Sequence, residues 1–305
     1  MLLQSLARKD AATAADMLDS HGHSGVNRSS GGAGGIGADV TAAAAGRLRG
    51  PLPLAEACPG EPVLVRAGEG QVEYYLIRRT LVQVAPQCVE IGRQYAAVMK
   101  GVRQRFSEDD ALSASPAVCH LADCAGEDIL FMDTETCGLS GAMIFLVGMM
   151  RYVDGQLVFE QCFARDYSQE LAVLEAFMVR YNTAGLLVTF NGKSFDMSLI
   201  RERSAFHGIE LPSREPPHLD LLHECRRRWK SDVPNCKLQT LERLVCGRCR
   251  VGDIPGADIP DAYHRFVATG DARQVADIIH HNLLDLLTMA QLVTAVLTGS
   301  GPLVK

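Results

Sequence analysis

Acidic side chains stand at three places where the surrounding sequence would aim them together. Asp133 and Glu135 close an apolar run, Ile129-Leu-Phe-Met132. Residues two apart on a strand face the same way, so both carboxylates project from one side. Asn191 and Asp196 follow a second apolar run, Gly185-Leu-Leu-Val-Thr-Phe190, and Ser194 is placed to cap a helix whose first turn contains Asp196. His281, Asn282 and Asp285 interrupt a third apolar stretch with helical spacing, and at about 100° per residue His281 and Asp285 lie about 40° apart. Each motif alone has an ordinary reading. A DxE pair ends many strands and turns, an Asp in a first helical turn complements the dipole, and polar residues in a helix can form a solvent-facing stripe. Taken singly, these are the better readings.

Joint occurrence changes the weighing. Phe131-Met-Asp-Thr-Glu-Thr-Cys-Gly-Leu-Ser140, Thr189-Phe-Asn-Gly-Lys-Ser-Phe-Asp196 and His281-Asn-Leu-Leu-Asp285 occur in that order. Together they resemble the DEDD 3′ to 5′ exonuclease superfamily, and most closely the YprB-like ribonuclease H-like domain family. His218-Leu-Asp-Leu-Leu-His223, Leu238-Gln-Thr-Leu-Glu242 and Asp253-Ile-Pro-Gly256 extend the likeness, which covers about 128 to 297.

The resemblance implies an α/β fold, a ribonuclease H-like mixed sheet with an antiparallel meander followed by βαβ units and flanked by helices. It implies that Asp133, Glu135, Asp196 and Asp285 meet at one edge as metal ligands. Two unit negative charges about 4 Å apart repel by about 4 kcal/mol at an effective dielectric near 20, so such a cluster needs cations or protons. Oxygen-only donors select Mg²⁺ or Mn²⁺, and two such ions would cut a phosphodiester of DNA or RNA. By the same resemblance a histidine near the last Asp handles the attacking water. His281 is the first choice because a continuous helix puts it beside Asp285, whereas His280 would point about 140° away. His280 becomes the base if the helix starts only at Asn282. Thr134, Thr136, Leu139, Asn191 and Lys193 are the expected substrate contacts, and Asp220 is expected to support the site or serve as a local cap. Cys137 stands where many relatives carry threonine. A non-catalytic nucleic-acid-binding or interaction module with the same fold is the alternative.

Elements able to position these residues can be read from the pattern. Strands are expected at 129–132, 143–153 and 157–163, with Asp154-Gly155 as a hairpin turn, then a helix over 168–181, a strand over 185–190 and a helix after Ser194. A long helix over 271–297 closes the domain. Residues 51–115 form an accessory segment with strand-like runs at Val72–Ile77 and Leu81–Val84. Residues 24–50, rich in Gly, Ala and Ser, read as a flexible linker after a possible short amphipathic helix in 1–20.

Composition sets outer bounds. With 47% hydrophobic and 22% charged residues the chain has the make-up of a globular protein. The apolar stretch Met143–Met150 is far short of the roughly 20 residues that span a bilayer, so no membrane partner is expected. Ten scattered cysteines and an N-terminus without a secretory pattern point to a reducing cytoplasm. A net charge of −6 argues against bulk attraction to nucleic acid. Arg226 to Arg250 is the local exception, with eight basic residues against Asp232 and Glu242; phosphate contact and a solvated face are equally good readings of it. Trp229 in this run is expected to pack into the core, although it could stack on a base. Cys246-Gly-Arg-Cys249 has the spacing of a zinc ribbon but no second pair, so no structural zinc is expected.

Overall fold

Runs of apolar residues become the strands of one mixed sheet in the computed structural model, which describes residues 50–105, 115–138 and 141–303. The strands are β1 (Glu61–Ala67), β2 (Gly70–Thr80), β3 (Ile129–Thr136), β4 (Ile144–Val153), β5 (Gln156–Phe163), β6 (Leu186–Thr189) and β7 (His218–Asp220). Their spatial order is β1-β2-β5-β4-β3-β6-β7. Pairs from β1 through β3 are antiparallel, while β6 adds parallel to β3 and β7 parallel to β6. This is the expected meander followed by parallel additions. The Asp154-Gly155 turn forms as read: both residues have positive φ (49° and 83°), the geometry that matches strand twist, and Val153 pairs with Gln156 across it.

The longer helices are α1 (Val89–Arg105), α2 (Pro116–Asp123), α3 (Glu170–Tyr181), α4 (Asp196–His207), α5 (Leu221–Trp229), α6 (Leu238–Leu244), α7 (Ile259–Thr269) and α8 (Arg273–Thr298). Side chains alternate across each strand, so the sheet buries both faces. Ile129, Phe131, Met150, Leu157 and Phe159 pack with the α8 residues Leu283, Leu286 and Leu287. Leu130, Met132, Val147 and Cys162 pack with Val173, Leu174 and Phe177 of α3. Both layers are apolar throughout, and removing this area from water at roughly 25 cal/mol per Å² is the main force holding the helices down.

Residues 61–80 continue this same sheet, because β2 pairs with β5 from Tyr75↔Phe163 to Thr80↔Val158. Val72–Ile77 lies inside β2 as expected, but Leu81–Val84 is a helical turn, not a strand. The reason is local: the Gln83 side chain accepts the backbone N–H of Thr80 at 2.8 Å, which starts a helix where the ladder ends. Trp229 is 5% exposed and packs in the core beneath α8. The readings placed on residues 1–49, the linker and short helix among them, lie outside the described residues, as does Leu139. No helix among the described residues is long and apolar enough to cross a membrane.

Candidate metal centre

β3 loses its parallel neighbour before its own end, and the centre is built in that gap. The β3–β6 ladder stops at Phe131↔Val188. Beyond it, Asp196 takes the place of the missing strand: its Oδ1 accepts the backbone N–H of Thr134 at 3.2 Å and the Thr134 hydroxyl at 2.5 Å. A tight turn brings the chain there. Asn191 adopts φ 65°, and Asp220, 2% exposed, holds the turn by accepting the N–H groups of Asn191 at 2.8 Å and Lys193 at 3.1 Å. Asp220 also caps α5 through Leu222 N–H at 3.0 Å, so one carboxylate fixes two elements. Gly192 is required, since a Cβ there would lie 2.5 Å from the Thr189 side chain. Ser194 makes no cap. Phe195 occupies the N-cap position without a side-chain bond, and Asp196 itself begins α4.

Asp133 and Glu135 occupy the β3 face turned toward α8. In register, Asp133 lies beside Gly148, and Gly148 beside Gln161. Gly148 leaves a notch that Asn282 of α8 fills; any Cβ there would overlap the Asn282 amide. Asn282 Nδ2 donates to Asp133 Oδ2 at 2.9 Å, and Asn282 Oδ1 accepts from Gln161 Nε2 at 2.9 Å. Gln161 Nε2 also donates to the Ile279 carbonyl at 2.7 Å, which ties this relay to the α8 backbone.

Three of the carboxyls are strongly perturbed. Burial first, then the charges of Asp285, Glu135 and Asp196, hold Asp133 well above the ordinary carboxylate range, against the bond from Asn282. Glu135 is raised by burial and by Asp285, Asp196 and Asp253, with Arg250 opposing. Asp196 is pushed up to about 6, because burial outweighs its bonds to Thr134. Burial is the largest cause in all three, with nearby acids adding to it at Asp133 and Glu135 and Asp220 adding to it at Asp196.

α8 is continuous from Arg273, so His281 and Asp285 do share one side. His281 is 8% exposed, whereas His280 is exposed. His281 Nδ1 lies 2.9 Å from both oxygens of Asp253, and its Nε2 faces Asp285 Oδ2 at 3.5 Å. An imidazole that donates Nδ1–H to Asp253 would turn Nε2 toward Asp285. Arg250 completes the ring of charges. Its Nε donates to Glu242 at 2.6 Å, its Nη1 to Asp253 at 3.1 Å, and its Nη2 to Asp285.

As they stand, no three His, Cys, Asp or Glu side chains among the described residues converge closely enough to hold a metal ion. Three of the four acids are turned toward other partners: Asp285 to Arg250, Asp196 to Thr134, Asp133 to Asn282. The donor set nonetheless suits a hard divalent cation. It is made of oxygens, and Asp133 and Glu135 are raised first by burial and then by the charges of nearby acids, a cost that a cation would relieve.

Of the expected substrate contacts, Thr134 and Thr136 have their hydroxyls engaged internally, with Asp196 and with the Gly138 carbonyl at 2.5 Å. Asn191 and Lys193 are exposed beside Asp196. Sequence reasoning missed Arg250, Asp253, Gln161 and the role of Gly148, and gave Asn282 no part in the site. A glycine inside an apolar strand and a glutamine in phase with Leu157 and Phe159 were the available signals. The basic run is partly consumed within the molecule: Arg227 pairs with Glu224 at 2.8 Å and Arg248 with Glu242 at 3.0 Å, while Arg226, Lys230, Lys237 and Arg243 are exposed.

Comparison with known proteins places the fold. The family model of the RNase H superfamily matches residues 130–297, the stretch that holds all four carboxylates. Uncharacterised protein YprB of Bacillus subtilis (strain 168) is 32% identical over 169 residues, which is 54% of this chain and 41% of that protein. The chain thus spans less than half the length of the curated relative it matches.

Proposed function

This chain belongs to the RNase H superfamily and carries a YprB-like RNase H-like domain, and on that premise we propose that it is a metal-dependent nuclease, a 3′ to 5′ exonuclease acting on DNA or RNA. The observation that supports the reading is the pair Asp133 and Glu135 on the end of β3, both raised first by burial and then by the charges of nearby acids, Asp285 and Asp196 among them. A structural role would not favour this crowding, since an unrelieved charge inside a protein destabilises it.

A pair of Mg²⁺ or Mn²⁺ ions held by these four side chains would supply the charge that activates water and stabilises the departing 3′ oxygen. The chain's own residues do the positioning. Asn282 and Gln161 hold the Asp133 carboxylate at a fixed angle, and Thr134 does the same for Asp196. His281, oriented by Asp253, presents Nε2 as the acceptor for a proton from the attacking water. Asn191 and Lys193, exposed on the turn before Asp196, are placed to meet a phosphate of the incoming strand.

Purified protein incubated with 3′- and 5′-end-labelled single-stranded and duplex DNA and RNA tests this. Stepwise shortening from the 3′ end, dependent on Mg²⁺ or Mn²⁺ and stopped by chelator, is the expected result. Binding of the same oligonucleotides with no cleavage under any metal would replace the reading with that of a non-catalytic binding module.

A further inference from the structure

The basic residues of α5 lie on one helix face that starts beside the turn leading to Asp196. Asp220 fixes the place. Its Oδ2 accepts the Lys193 N–H at 3.1 Å and lies 3.9 Å from His223 Nε2, so that turn and the first turn of α5 meet at one carboxylate oxygen. From there α5 leads away to Lys230, its C-cap, which keeps helical φ −56° and ψ −32°. The exposed positions are His223, Arg226, Arg227 and Lys230. With 3.6 residues per turn these four fall within about 100° of the helix circumference, while Leu221, Leu222, Cys225 and Trp229 are buried.

Part of this charge has no use within the fold. Glu224 is the only acid of α5; it is buried and pairs with Arg227 at 2.8 Å and Arg228 at 3.9 Å, so its charge is spent beneath the stripe. Neither Arg226 nor Lys230 forms an ion pair with a described residue. They stand four apart on a helix, where like charges repel. Asp232, beyond Lys230, accepts the Ser231 hydroxyl at 3.2 Å. In a chain of net charge −6 this stripe is a local reversal of sign that begins where the proposed substrate enters.

Resting on the nuclease reading above for where the strand ends, we propose that α5 is the track of a single-stranded substrate, whose backbone leaves the centre past Lys193 and His223 and runs over Arg226 and Lys230. The rise from His223 to Lys230 is about 10 Å. That is room for about three phosphates of one strand at roughly 3.4 Å each. A single row of charge on one helix matches one phosphate backbone, so the occupant is a single strand and not a duplex.

Binding by the full chain in chelator, where cleavage is stopped, tests the track apart from catalysis. The probes are 5′-fluorescein dimers and hexamers of deoxythymidine and of uridine, followed by fluorescence anisotropy at about 50 to 200 mM salt. The hexamer should bind more tightly than the dimer. Arg226→Gln together with Lys230→Gln removes two phosphate contacts, so the salt slope for the hexamer should fall by about 1.4, at roughly 0.7 per phosphate of a single strand. The advantage of the unaltered protein should accordingly shrink about sevenfold between about 50 and 200 mM salt. Lys237→Gln together with Arg243→Gln removes the same charge from exposed positions at the start of α6 and on it, and should leave the slope unchanged. Equal binding of dimer and hexamer, an unchanged slope in the Arg226 and Lys230 variant, an equal fall in the Lys237 and Arg243 variant, or a blunt duplex bound as tightly as the single strand would each overturn the proposal. No binding of any oligonucleotide would overturn the nuclease reading together with it. Binding along α5 without cleavage once Mg²⁺ or Mn²⁺ is added would overturn the nuclease reading and leave α5 as the track of a non-catalytic module.

Discussion

Two buried acidic regions on opposite faces of the sheet have reached opposite electrostatic states. Glu170, 2% exposed at the start of α3, accepts the Ile144 N–H at 2.9 Å and side-chain bonds from Arg203 at 2.5 and 2.8 Å and His207 at 2.8 Å. Burial alone would raise its pKa, but those donors hold it below the ordinary range. Asp133, on the face toward α8, is surrounded by Asp285, Glu135 and Asp196 and is held well above that range. The difference lies in what the acids face. Glu170 faces donors and cations and so serves the fold, clamping the start of β4 to α3 and α4. Asp133 faces other acids and has one neutral donor, so a proton or a cation has to offset its charge.

Exchanging the acids for neutral residues should therefore have opposite consequences, and this gives the largest expected effects. Asp133→Asn should reduce metal-dependent cleavage to background while the metal-free protein melts at the same temperature or higher. Glu170→Ala should leave Arg203 and His207 facing an empty position. Breaking a buried ion pair from one side typically costs about 3 to 5 kcal/mol, read from urea unfolding midpoints, with cleavage per folded molecule preserved. Destabilisation by Asp133→Asn of similar size, or loss of specific activity in folded Glu170→Ala, would erase the contrast.

Within the acidic region the comparison sharpens on two adjacent histidines. His281 is fixed by Asp253 and faces Asp285, whereas His280 is exposed on the next position of α8. His281→Ala should lower the metal-saturated cleavage rate by roughly 10² to 10⁴-fold, the usual cost of losing a general base. His280→Ala should stay within about threefold of the unaltered protein, and Asp253→Asn should fall between, near the roughly 10- to 100-fold cost of losing an orienting partner. A large loss confined to His280→Ala would move the base to the other side of the helix.

Much of this contrast could be read from the chain before its structure. Asp133, Glu135, Asp196 and Asp285 were singled out because three motifs occur together in an order that resembles a known family; strand and helix periodicity adds only which way such residues point. Local pattern also placed the Asp154-Gly155 turn and the three meander strands. Contacts distant in sequence were not legible. Nothing near Arg250 announces that its partners are Glu242, Asp253 and Asp285, because only the folded path of 245–255 brings them together. β7 has three residues, too few to show alternation, and its role through Asp220 depends on a turn at Asn191 with φ 65°. β1 was missed because its residues stay partly or fully exposed at the sheet edge, where burial imposes little pattern.

The smallest effect expected is a pH dependence, and its sign distinguishes the two regions. Asp133 has a folded pKa above its unfolded value, so the folded state holds the proton more tightly. Its ionisation therefore destabilises the fold as pH rises above the unfolded value near 4, and the penalty disappears as pH falls back toward it. Other groups titrate over the same span. Burial lowers His218 to about 4, which destabilises the fold as pH falls below its ordinary value near 6.5. A single melting curve would mix these effects, but His218 is common to both proteins and cancels when Asp133→Asn is compared with the unaltered chain. In chelator, the melting temperature of Asp133→Asn minus that of the unaltered protein should be positive at about pH 8, on the order of 2 to 4 °C for each kcal/mol relieved. It should shrink steadily and reach zero only below about pH 4, where the carboxyl is protonated in both states. Saturating Mg²⁺ should reverse its sign at about pH 8, since the ion stabilises only the protein that retains its ligand. Glu170→Gln should give the opposite slope. The folded pKa of Glu170 is depressed, so its stabilisation is present above about pH 4.5 and is lost as pH falls through the lower folded value. Parallel slopes for the two variants would mean that the two regions do not differ in the way their surroundings indicate.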